Sequence, residues 1–125
     1  MYPTKLYQLL SSFSREELRS FRLFLKSSFF NQSPVLLRLF DVIKKYHPTY
    51  TSSRLAKENI YKKLNPSVPF TEKLINDRIS ELSKLVIEFM TIQQLREDKA
   101  LKNEVFRKSL ASHQLSVMFL SLIHI

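Results

Sequence analysis

Arg15, Arg19, Arg22 and Lys26 follow one another at intervals of four, three and four residues, a spacing that on a helix gathers four cations within an arc of about 60°. Fixed cations on one edge do one kind of chemistry: they hold anions, whether the carboxylates of an acidic protein face or the phosphates of a nucleic acid. This edge lies about 100° from the centre of the Leu18, Phe21, Leu25 face of the same segment. One side can therefore be buried while the other meets a partner. The row also suits ordinary solvation of an amphipathic helix, with Glu16 and Glu17 answering the helix dipole at its N-terminal end.

A second set of cations, Lys62, Lys63, Lys73, Arg78 and Lys84, flanks the connection from Asn65 to Thr71. It is the alternative candidate, a nucleic-acid interface in which the downstream segment acts as a recognition helix and the lysines before it contact phosphates. A helix-turn-helix uses a turn of about three or four residues, whereas this connection is longer and holds Pro66 and Pro69. Asp77 and Glu81 dilute the charge. The apolar residues nearby, Phe70 and Phe89 among them, sit at core spacing rather than as a stacking platform for single strands.

Catalytic chemistry finds no comparable pattern. His47, His113 and His124 are far apart in the sequence and form no metal-ligand spacing. Glu16 with Glu17, and Glu97 with Asp98, are adjacent pairs that point in different directions on a helix rather than converging on one substrate. Cysteine is absent, which removes disulfides and thiolate metal sites. Glycine is absent too, so neither a phosphate-wrapping loop nor a GxSxG nucleophile elbow can be drawn. The expectation is a non-catalytic protein without metal or cofactor.

The elements that must position these cations are legible from periodicity and caps. A first helix is expected from about Lys5 to Ser12 after Thr4, too brief to stand without tertiary support. Ser14 and Glu17 form a capping-box pattern, with Phe13 and Leu18 at staple spacing, ahead of a helix from Arg15 to Ser27 whose buried stripe is Leu18, Phe21, Phe24, Leu25 and Ser28. A third helix starts after Ser33 with Pro34 at its first position, carries Leu36, Leu39, Phe40 and Ile43, and stops near Tyr46 because of Pro48. A short helix follows near Leu55 to Leu64. The longest begins after Thr71, with Phe70 and Ile75 at staple spacing, and runs toward Gln94 on Ile75, Ile79, Leu82, Val86 and Phe89. A last helix, or a kinked continuation, spans about Asp98 to His113, with Leu101, Val105, Phe106 and Leu110 as its apolar face.

The balance of 20 basic to 11 acidic residues gives a net charge of +9 and a pI near 9.9, which draws acidic protein faces, nucleic acid or lipid headgroups. Eight basic and three acidic residues put +5 in the first fifty positions, and twelve and eight put +4 in the rest. Met1 to Leu10 lacks the apolar run and small-residue cleavage site of a secretory signal, and a cytoplasmic address is expected. Residues 1–113 read as a single helical module and residues 114–125 as an apolar tail, a truncated helix. As a helix its last eleven residues, Leu115 to Ile125, reach about 16 Å and fall short of the roughly 30 Å of a bilayer core.

The segment LLSSFSREELRSFRLFL, Leu9 to Leu25, resembles the opening of pyrin and other death-fold domains, which implies a helical interaction module. A longer similarity, from Leu6 to Phe89, is to the N-terminal region of large uncharacterised all-helical bacterial proteins. It is carried by LSSFSREELRSFRLFLKSSFFN, by the stop at Tyr46, His47 and Pro48, and by IYKKLNPSVPF and ISELSKLVIEF. That resemblance implies an N-terminal helical module followed by further helices, with no activity or site residues to transfer. Together these readings predict an all-α protein, a compact bundle of five or six helices, acting as a non-catalytic interaction or scaffolding module with an acidic protein partner.

Overall fold

A computed structural model describes residues 4–115. Among them there are six α-helices and no strand: α1 (Thr4–Ser11), α2 (Arg15–Lys26), α3 (Pro34–Ile43), α4 (Lys57–Leu64), α5 (Glu72–Glu97) and α6 (Lys99–Ser112). Two short 3₁₀ turns, Lys44–Tyr46 and Ser53–Leu55, stand between α3 and α4. The chain forms two compact units, the first ending at Phe89 and the second beginning at Met90. The all-α expectation holds. The tail falls almost wholly outside the described residues.

The capping box opens α2 as its sequence pattern requires. Ser14 Oγ accepts the Glu17 N–H at 3.1 Å, and Glu17 Oε1 accepts the Ser14 N–H at 3.0 Å, so two amides that the helix leaves unpaired are satisfied reciprocally. At the start of α3 the outcome is different. Ser33 is the N-cap residue, but its hydroxyl makes no capping bond. Asn31 organises the entry instead, its Oδ1 accepting the Ser33 N–H at 3.0 Å and its Nδ2 donating to the carbonyls of Leu25 at 2.8 Å and Ser33 at 3.1 Å.

Within the largely aliphatic core of the first unit lies an aromatic cluster centred on Phe21, which is fully buried. Its ring centroid lies 5.1 Å from Phe40 of α3, 5.3 Å from Phe89 of α5, 5.9 Å from Phe24 and 6.0 Å from Phe13. One side chain thus joins α2, α3 and α5. Helix α3 packs on α2 and α4, burying Leu36, Leu39, Phe40 and Ile43. Of the stripe expected on α2, Phe21, Phe24 and Leu25 are buried, Leu18 is half-buried and Ser28 is exposed. The brief α1 receives its support from tertiary contact, with Leu6 and Leu10 buried and the Tyr7 hydroxyl donating to the Leu55 carbonyl at 3.0 Å.

Without glycine, the chain makes its left-handed turns from other residues. Tyr50 has φ of 51°, a conformation that costs a residue with a side chain about 1–2 kcal/mol. Burial of its ring offsets that cost: it stacks on Tyr7 at 5.1 Å with the planes 3° apart, and the edge of His47 lies 5.9 Å away. The same burial pushes the Tyr50 phenol up to about 12.

Helix α6 departs from expectation. Asp98 caps it, its Oδ1 accepting the Leu101 N–H at 2.9 Å, so it is a separate helix and not a continuation of α5. Of its expected apolar face only Leu110 is buried, Phe106 is half-buried, and Leu101 and Val105 are exposed. Lys99, Lys102, Glu104, Arg107 and Lys108 interleave with these positions, so charge is spread around α6 and the three-and-four spacing overstated its burial. No helix among the described residues is long and apolar enough to cross a membrane.

Candidate functional site

The basic edge of α2 survives folding, with one member withdrawn from it. Arg15, Arg19 and Lys26 are exposed and form no ion pair among the described residues. Arg22 does not belong to the free edge. Its Nε donates to Asp41 Oδ1 at 2.8 Å and its Nη2 to Asp41 Oδ2 at 3.1 Å, a bidentate fork that ties α2 to α3. Lys44 Nζ joins the same carboxylate at 3.0 Å. The Arg22 hydrogen bond, helped by Lys44, holds the Asp41 carboxyl below its ordinary value of 3.8 against the opposing effect of partial burial. The same bond raises Arg22.

A pH dependence follows from that direction. With the folded-state value below the unfolded one, Asp41 contributes stability above pH 3.8 that is lost as the pH falls through the depressed value. The contribution is small, because both side chains are about a third exposed. Urea unfolding midpoints compared between about pH 5 and pH 3 should fall less for Asp41→Asn than for the parent. Equal slopes would show that the fork adds nothing to folding.

Two exposed apolar side chains, one on α2 and one just after it, did not stand out in the sequence. Leu23 is 66% exposed and sits on α2 about 40° beyond Arg19. Phe29 is 86% exposed. It projects from the turn after α2, where the amides of Phe30 and Asn31 donate to the Ser27 carbonyl at 3.1 and 2.9 Å. On either side of it the turn is fastened, by the Phe30 ring stacked on Phe24 at 4.4 Å and by the three Asn31 hydrogen bonds. Phe29 is therefore held out by a structured turn. Beside it a depression of about 510 Å³ opens between the end of α2 and the start of α3, lined by Leu25, Lys26, Pro34 and Leu37 among others.

Of the alternative set, Lys73 and Lys84 share one edge of α5, about 20° apart, and Arg78 stands away from it. Lys62 and Lys63 are exposed at the end of α4, and Lys73 and Lys84 are exposed on α5. Arg78 lies about 140° around α5 from Lys73, is half-buried, and hydrogen-bonds both Glu81 oxygens at 3.3 Å. Asp77 falls about 40° from Lys73 on the exposed side, placing a carboxylate where phosphate contacts would be needed. An open groove of about 860 Å³ runs between α1 and α5 past Leu6, Leu9, Ile79 and Ile87, with Lys5 as its cation. No group of three or more His, Cys, Asp or Glu among the described residues is placed to hold a metal ion.

Comparison with models of known protein families finds no match to this chain, and neither the curated proteins nor the solved structures compared with it contain one.

Proposed function

We propose that this protein is a non-catalytic helical interaction module that binds an acidic protein face through the exposed edge of α2. The observation that carries this reading is a row of three exposed cations on α2 that form no ion pair among the described residues, Arg15, Arg19 and Lys26, followed three residues after Lys26 by the exposed and fastened Phe29. Cations give orientation and encounter rate, and an aromatic anchor gives the desolvated contact on which affinity concentrates. Arg22 acts as a tie that sets the angle of α2 against α3.

The test is selection from a displayed random-peptide library against the immobilised protein. Acidic sequences are expected to be enriched, and enrichment of neutral or basic ones would overturn the reading. Titration with duplex and single-stranded DNA across a salt series separates the alternative. Binding that falls steeply with salt, with a slope reporting several displaced counterions, would assign the surface to nucleic acid.

A further inference from the structure

We infer that the partner's acidic segment carries one bulky apolar side chain, and that this side chain seats in the depression between the end of α2 and the start of α3. This inference rests on the interaction reading above and specifies its partner. Lys26 belongs both to the cationic edge and to the wall of the depression, so a ligand drawn to the edge by its carboxylates is delivered to the opening. From Arg15 to Lys26 the edge runs about 16 Å along α2, room for several carboxylates in series before the anchor.

The depression can take an apolar group within a polar rim. Half-buried Leu37 and exposed Pro34 offer its apolar surface, Pro34 without an amide hydrogen that would require a partner, and Lys26, Ser28, Gln32 and Ser33 surround them. Its volume of about 510 Å³ is within the roughly 300–1,000 Å³ of small-ligand pockets and more than one side chain needs. The three Asn31 hydrogen bonds span its rim from Leu25 to Ser33, so the shape exists before the partner arrives and little ordering cost is added on binding. The exposed Phe29 follows directly on Ser28, a residue of the rim, and a bound segment extending past the rim would cover it. The free cations complement an acidic polypeptide over their whole length. A lipid surface would use Phe29 and the cations but would leave the depression without an occupant.

The experiment uses two fluorescent glutamate-rich peptides long enough to span the edge, identical except for phenylalanine or alanine at the anchor position, titrated against the full chain by anisotropy. The phenylalanine peptide should bind at least about tenfold more tightly, and both should weaken as salt rises. That difference should vanish in Ser28→Trp and in Gln32→Trp, two exposed rim positions where an indole fills the depression, with circular dichroism confirming unchanged helicity. Equal affinity of the two peptides, still salt-dependent, would overturn the anchor and leave the acidic-partner reading standing. No binding of either peptide at low salt would overturn both. Co-sedimentation with phosphatidylserine-containing but not phosphatidylcholine vesicles, abolished by Phe29→Ser and seen without peptide binding, would assign the surface to membrane and overturn the proposal.

Discussion

Replacing Phe21 with alanine is expected to lower the unfolding free energy by about 3–5 kcal/mol, the cost found when a buried phenylalanine is truncated and the cavity persists. The ring is fully buried and meets the rings of Phe13, Phe24, Phe40 and Phe89. These neighbours come from α2, α3, α5 and the α1–α2 connection, so no single helix can move to refill the space. Against the roughly 5–15 kcal/mol that separates folded from unfolded domains, such a loss leaves little margin. Guanidinium unfolding followed by far-ultraviolet circular dichroism reads it directly. A loss below about 1 kcal/mol, the scale of an ordinary surface change, would show that the aromatic cluster is not centred on this ring.

The second large effect concerns binding. Reversing Arg15, Arg19 and Lys26 together to glutamate is expected to weaken an acidic peptide recovered from the library by about a hundredfold or more. Each reversal removes an attraction and adds a repulsion, and like charges across an interface are strongly disfavoured. Folding should be unaffected, because none of the three makes an intramolecular ion pair among the described residues. Arg22→Glu is the informative contrast. It sets two carboxylates against each other at Asp41 and should lower the unfolding midpoint, whereas the triple variant should not. Unchanged peptide affinity in the triple variant would remove the α2 edge from consideration.

The helices were legible in the sequence because their signals are local. Ser14 and Glu17 announced the start of α2, and Pro34 and Pro48 bounded α3, whose helical backbone runs through Ile43 and tightens into a 3₁₀ turn as far as Tyr46. Each signal is a steric or hydrogen-bonding rule acting over about four residues. Burial was less legible. The spacing of Leu101 and Val105 matched that of Leu82 and Val86, yet the first pair is exposed and the second buried, since periodicity says which residues share a face and not what covers it. Ser33 was the expected cap of α3, but the side-chain bonds come from Asn31. Asn31 binds the amide of Ser33 itself, one step before the N–H groups that a Ser33 cap would have taken.

The candidate surface divides along the same line. That Arg15, Arg19, Arg22 and Lys26 share one edge of one helix is determined by their spacing alone, since about 100° per residue is a property of the backbone. Which of them remains available for a partner was decided by tertiary structure. Arg22 and Asp41 are 19 residues apart, and only the packing of α2 on α3 brings the fork to the carboxylate. The prominence of Phe29 has the same origin: two adjacent phenylalanines are equivalent as sequence, and the stack of Phe30 on Phe24 turns one inward and leaves the other in water. Local geometry follows from neighbours along the chain, whereas charge pairing and exposure depend on residues that meet only after the helices have packed.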